Sequence, residues 1–272
     1  MSKNIQLLII DPQNDFIDQP GATLGVPGAL EDMKRLNTMI KRILPRITNL
    51  RVSLDSHQPV HIGNCLWWVD RNGNPPDPFT VITTAMVGGP DPEYKCKKMD
   101  GAIKWRTKSV QYVKDLYARG RNPLVTWPIH TIIGSWGHSV HPILDEALRL
   151  YQNQFQNIDY KTKGTNMFTE HFSIISADVP DPEDHGTLPD MDFVGKLAQG
   201  DLVAIAGEAS SHCVKWTVKD IADKFGPDQV KKLVLLTDAS SPVTGFEADA
   251  QSFIREMRDM GMQLSTTADF LK

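Results

Sequence analysis

The chain has 272 residues, 40% hydrophobic and 23% charged, a balance that excludes a disordered tail or a fibrous repeat. Its 29 Lys and Arg against 33 Asp and Glu leave a net charge of −4 with no long basic run, so no nucleic-acid partner is expected. Three cysteines, Cys65, Cys96 and Cys213, are too few and too scattered for a disulfide framework and fit a reducing compartment.

The opening stretch, MSKNIQLLIIDPQNDF, has an apolar run that meets Asp11 too soon for a secretory signal. No stretch approaches the roughly 18 apolar residues of a membrane span. A cytoplasmic protein with no membrane partner is the expectation. Residues 5–10 read as a strand ending at Asp11. From 27 to about 47, Leu30, Met33, Leu36, Met39, Ile40 and Ile43 recur mostly three or four apart, which predicts a helix. Residues 50–54 predict a second strand ending at Asp55, 124–127 a short third, 142–152 a helix, and 157–160 a fourth strand running toward Lys163. The last third alternates most clearly: strand 202–206 ending in Gly207, helix 211–225, strand 232–237, and a helix from 246 to about 260.

Apolar strands alternating with helices imply an α/β fold, a three-layer, doubly wound, mostly parallel sheet with helices on both faces. Residues 1–272 read as a single domain. Residues 65–122, rich in Pro, Gly, Trp and charge, read as an insertion with too few periodic apolar positions for a core of its own. Residues 180–189 form a second, smaller loop. In such sheets ligands bind outside the carboxyl ends of the strands. Asp11, Asp55, Trp127 and the segment 207–213 all fall at predicted strand ends.

Cys213 lies in the first turn of a predicted helix, where the helix dipole favours a thiolate. The alternative is a small buried hydrophobe, and structural roles are expected for Cys65 and Cys96. His212, next in sequence, points elsewhere on a helix and is a poor base for the thiol. Asp11 reads either as a turn cap or as a carboxylate whose pKa is raised by burial and a neighbouring thiolate. Asp55-Ser56-His57 places an aspartate and a histidine on one side of an extended segment. With His130 as third ligand they suit Zn, Fe or Mn. His61, His138 and His141 compete for that place; His171 and His185 read as solvated.

In chain order, DPQNDF at 11–16, D-x-H at 55–57, WPIH at 127–130, KG at 163–164 and G-x-A-x-x-x-C-V at 207–214 resemble the isochorismatase-like cysteine hydrolases, most of all the nicotinamidases. The resemblance spans the chain from first strand to last. It implies a triad of Asp11, Lys163 and Cys213, and one divalent metal ion held by Asp55, His57 and His130, zinc before Fe or Mn. It also implies an aromatic sandwich of Phe16 and Trp127, and an oxyanion hole from the backbone N–H groups of Ala209 and Cys213 after a cis Glu208–Ala209 bond. The implied activity is hydrolysis of a small amide, nicotinamide to nicotinate and ammonia, through a Cys213 thioester, by a homo-oligomer. The alternatives are an amidase of ureido, carbamoyl or other non-pyridine amides, or a non-catalytic ligand-binding homologue.

The sequence departs from the family pattern at four places. Thr131 stands where compact nicotinamidases carry Cys, and Ser56 where Trp is common. The stretch between His57 and His130 is longer, and its Trp67, Trp68, Pro78 and Phe79 are candidates to fold over the pocket. Glu208 replaces a small apolar residue near the thiol, as a solvated or salt-bridged carboxylate or as a contact to the substrate amine.

Overall fold

The apolar runs assemble into one sheet. In a computed structural model, which describes residues 3–272, six strands pair in parallel: β1 (Ile5–Ile10), β2 (Asn49–Asp55), β3 (Ile158–Lys163), β4 (Leu202–Gly207), β5 (Leu233–Leu236) and β6 (Gln263–Ser265). Their order across the sheet is β6-β5-β4-β1-β2-β3. The longer helices are α1 (Ala29–Ile43), α2 (Trp105–Ala118), α3 (Pro142–Gln152), α4 (Met191–Ala198), α5 (Cys213–Phe225) and α6 (Glu247–Asp259).

Successive strand side chains point to opposite faces, and β1 uses both. Ile5, Leu7 and Ile9 join a cluster with Met33, Leu36 and Ile40 of α1 and Leu144 and Leu148 of α3. Leu8 and Ile10 join a second cluster with Leu197 of α4, Val218 and Ile221 of α5 and Phe253 of α6. Strands covered on both faces must be apolar on both, which is why LVLL in β5 shows no alternation. Among the described residues no helix is long and apolar enough to cross a membrane.

Two expectations need correction. Residues 124–127 add no strand to the main sheet. Only Leu124–Val125 is extended, antiparallel to Val81–Ile82, and β3 takes the place beside β2. Residues 65–122 do contribute to a core of their own: Trp67, Trp68, Ile82, Val87, Cys96, Tyr112, Val113 and Leu116 pack together with Ile62 and Leu124. Large aromatic side chains supply apolar area that a search for aliphatic periodicity overlooks. Trp67 Nε1 donates to Ser109 Oγ (2.9 Å) and Trp68 Nε1 to the Ile62 carbonyl (2.7 Å), so both indoles are anchored inside this cluster rather than over the pocket.

Candidate active site

The chain builds β1, β2 and β3 toward one edge, then β4, β5 and β6 toward the other, so the winding reverses between β1 and β4. A cleft opens at the carboxyl ends beside such a reversal. Asp11 follows β1, Glu208–Cys213 follow β4, and Asp55 and Lys163 end β2 and β3 opposite one another in register. Two glycines permit this convergence. Gly207 has φ +111°, and a Cβ there would lie 2.0 Å from the Ile10 carbonyl oxygen. At Gly164, φ +80°, a Cβ would lie 2.7 Å from His57 Cε1 and 2.8 Å from Asp55 Oδ1.

Lys163 is the hub. Its buried Nζ lies 2.9 Å from Asp11 Oδ2, 2.9 Å from Asp55 Oδ1 and 3.5 Å from Cys213 Sγ. Burial works against its charge, but Asp11 and Asp55 hold its pKa well above the ordinary lysine value. Asp11 also accepts from Ser53 Oγ at 2.5 Å. Burial raises its pKa; Lys163 opposes the shift and Asp55 adds to it. The second carboxylate, rather than a thiolate, is therefore the charged neighbour that raises Asp11. Burial likewise pushes the Cys213 thiol well up, Lys163 only partly offsetting burial and the two carboxylates. The helix-dipole argument for a resting thiolate is thus opposed by desolvation, which favours the neutral thiol.

Cys213 opens α5, where first-turn N–H groups lack intrahelical acceptors. Among the described residues, neither its backbone N–H nor that of Ala209 donates to any acceptor, whereas the N–H of Val214 donates to the Ala209 carbonyl at 3.1 Å. The Glu208–Ala209 peptide bond is cis.

Asp55, His57 and His130 offer ligand atoms that all lie within 4.8 Å of one another. His57 Nδ1 is held by the Gly164 carbonyl (3.0 Å) and His130 Nδ1 by the Pro128 carbonyl (2.8 Å). Each ring therefore turns its Nε2 toward Asp55 Oδ2, at 2.9 and 3.5 Å. Imidazoles tethered at one nitrogen with the other facing a carboxylate are arranged as metal ligands are. Burial disfavours charge on His57, yet Asp55 raises its pKa, so the cluster attracts a cation. A second group, His57, His61 and Glu170, adjoins the first. His61 Nε2 is tied to the Thr169 carbonyl (3.1 Å), and its Nδ1 lies 3.7 Å from Glu170 Oε1, a buried oxygen without a hydrogen-bond partner. Burial pushes Glu170 up to about 8. The donor set and this orphaned oxygen fit a divalent ion.

The pocket in front of Cys213 is lined by Phe16, Trp127, His171, Phe172, Ala209 and His212 among others, and by none of residues 65–122. Phe79 instead packs behind the wall, edge-on to Trp127 at 5.8 Å between ring centroids. His61 sits in the second donor group, while His138 pairs with Ser56 Oγ (2.8 Å) and His141 Nδ1 accepts the Ile143 N–H (3.3 Å) at the start of α3. His185 is exposed as expected, but His171 is buried in the pocket wall, because the chain after Lys163 folds back under the strand ends. Glu208 fits neither of its expected roles. It is 1% exposed and absent from the pocket wall, accepting from the Ser241 N–H at 3.2 Å, with Asp32 close enough to raise its pKa. Cys65 and Cys96 are free thiols outside the pocket. Sequence reasoning missed Glu170 and Ser53. Ser53 had a faint signal, two residues before Asp55 on the strand beside β1; Glu170 in its loop had none.

This sheet with its helices is the isochorismatase-like hydrolase fold. The yeast nicotinamidase bound to the inhibitor nicotinaldehyde superposes with a TM-score of 0.66 at 18% identity, over 96% of this chain and 99% of that one. A nicotinamidase/pyrazinamidase of Acinetobacter baumanii does so with 0.63 at 20%, over 99% of each chain. The pyrazinamidase of Pyrococcus horikoshii in complex with zinc gives 0.55 at 17%, over 97% and 99%. No protein-family model and no curated protein matches the sequence.

Proposed function

We propose that the chain is a cysteine amidohydrolase that converts a small amide, nicotinamide in the first instance, to its acid and ammonia. The observation that carries this reading is the meeting of Asp11, Lys163 and Cys213 beside two unengaged backbone N–H groups. The likeness to the nicotinamidases and the pyrazinamidase supports it.

The buried thiol needs a base, and Asp11, raised by burial, is matched to that task. Asp11 takes the thiol proton as sulfur attacks the amide carbon, and Lys163 keeps the developing anion pair balanced. The amide oxygen, now negative, is met by the N–H groups of Ala209 and Cys213. Asp11 returns the proton to the departing nitrogen; ammonia leaves and a thioester to Cys213 remains. Water then attacks the thioester with Asp11 again as base, freeing the acid and the thiol. Phe16 and Trp127 hold the ring of the substrate. Asp55, His57 and His130, with His61 and Glu170 adjoining, would hold a divalent ion, zinc before Fe or Mn. When bound, that ion supplies positive charge for a polar edge of the substrate.

The test is ammonia release from purified, metal-replete protein given nicotinamide, pyrazinamide, an aliphatic amide and a ureido acid, with Cys213→Ala as control. Turnover of the pyridine and pyrazine amides that vanishes in Cys213→Ala is expected. Turnover of the ureido acid alone, or turnover that survives the substitution, contradicts the reading.

A further inference from the structure

Three ring nitrogens of pocket-wall residues lack partners, His171 Nε2, His212 Nε2 and Trp127 Nε1, and the last two belong to rings in direct contact. His212 and Trp127 are 3% exposed each, and their rings meet edge to face with centroids 5.2 Å apart. Around them the surface is apolar, with Phe172 at 5.3 Å and Phe246 at 4.6 Å from the His212 ring. Indole nitrogen is always a donor. The role of the imidazole nitrogen follows from its other end. His212 Nδ1 lies 2.8 Å from Ser211 Oγ, and that oxygen already accepts the Val243 N–H at 3.1 Å. Ser211 is fully buried, and among the described residues its hydroxyl proton has no acceptor other than Nδ1. Nδ1 therefore accepts, and a neutral imidazole must then carry its proton on Nε2. Burial and the nearby Lys215 push His212 down to about 3, so the ring is neutral at working pH. The wall thus presents two uncharged N–H donors with nothing to bind.

Resting on the amidase reading above, we propose that the preferred substrate is a small aromatic amide carrying a second, uncharged oxygen acceptor, received by His212 Nε2–H beside Trp127 Nε1–H. Plain nicotinamide cannot use these donors. Its amide oxygen belongs to Ala209 and Cys213, its ring nitrogen faces the cation site, and its remaining ring edge is C–H. A carboxylate is disfavoured as the second group, because Asp55 and Glu170 already line the pocket and Lys163 is engaged by Asp11 and Asp55. A hydroxyl, alkoxy or ring carbonyl oxygen meets both requirements.

The experiment compares kcat/KM of the wild-type protein for nicotinamide and for its hydroxy- and methoxy-substituted ring isomers, then repeats the series with His212→Phe. At least one isomer should exceed nicotinamide about tenfold, mainly through KM, the gain of one matched hydrogen bond. The advantage should fall to about one in His212→Phe, and His212→Gln, which keeps an N–H, should recover part of it. If the variants fold poorly, the wild-type series and the ¹⁵N shifts of His212 decide. An unprotonated Nδ1 is expected, and a protonated Nδ1 overturns the assignment. A flat isomer series, with nicotinamide hydrolysed normally, overturns the inference and spares the amidase reading; its donors are then served by water alone. Absence of Cys213-dependent hydrolysis of every amide removes both.

Discussion

Lys163 balances two buried carboxylates while lying against the thiol, so its removal is felt in stability and chemistry together. Lys163→Met should lower stability by about 3–5 kcal/mol in denaturant titrations, because Asp11 and Asp55 are left buried without a counter-charge. The same variant should lose ammonia release. Glu208 makes the opposite prediction. Burial, with Asp32 beside it, raises its carboxyl well above the ordinary 4.5. A proton held by the folded chain and released by the unfolded one makes stability fall as pH climbs from about 4.5 to the raised folded value. Glu208→Gln can still accept from the Ser241 N–H and has no proton to lose. It should match the parent near pH 4 and exceed it near pH 8, read from melting curves at the two pH values. A parent whose stability does not decline over that range would contradict the raised Glu208 carboxyl. At this scale the sequence was legible where chemistry sits at a strand end, as with Asp11, Asp55 and Lys163. It was not legible where a loop delivers the side chain: Glu170 and His171 carry no periodic mark, and Glu208 reached Asp32 through a turn that no spacing rule anticipates.

At the scale of elements, β1 and β4 must end within contact of one another for Asp11 and Cys213 to meet. Gly207 is the residue that allows it, since a Cβ there would overlap the Ile10 carbonyl oxygen. Gly207→Ala should cost about 3–5 kcal/mol and depress kcat far more than a surface Gly→Ala change such as Gly195→Ala, measured side by side. The segment 65–122 behaves differently. Trp68 is fully buried within the separate cluster of that segment, so Trp68→Ala should destabilise by about 3–5 kcal/mol. Hydrogen exchange should localise that loss to residues of the cluster, with β1, β4 and β5 protected as before; uniform loss across the sheet would show that the cluster is not separable. The central strands β1, β4 and β5 were legible because burial on both faces leaves uninterrupted apolar runs, whereas the edge strand β3, IDYKTK, has no such run. The short β6, exposed and only three residues long, and the antiparallel pairing of 124–125 with 81–82 were not, because both depend on partners remote in sequence.

Across the whole molecule, the doubly wound order places four strand ends side by side, and charge accumulates there. Asp11, Asp55 and Glu170 face Lys163 and three imidazoles in a buried setting that a divalent cation would stabilise. Zinc added to chelator-treated protein should therefore raise the melting temperature, with a gain near 2.7 kcal/mol at about a hundredfold excess over Kd. His57→Ala should abolish that gain, and an unchanged melting temperature would contradict a resident ion. The central claim concerns the sulfur, and it is tested most directly by intact mass spectrometry of acid-quenched reactions with nicotinamide. The account predicts an acyl adduct confined to the Cys213 peptide, formed before ammonia release reaches steady state and absent in Cys213→Ala. Turnover by the wild-type protein with no adduct at any quench time, and turnover retained in Cys213→Ala, would contradict it.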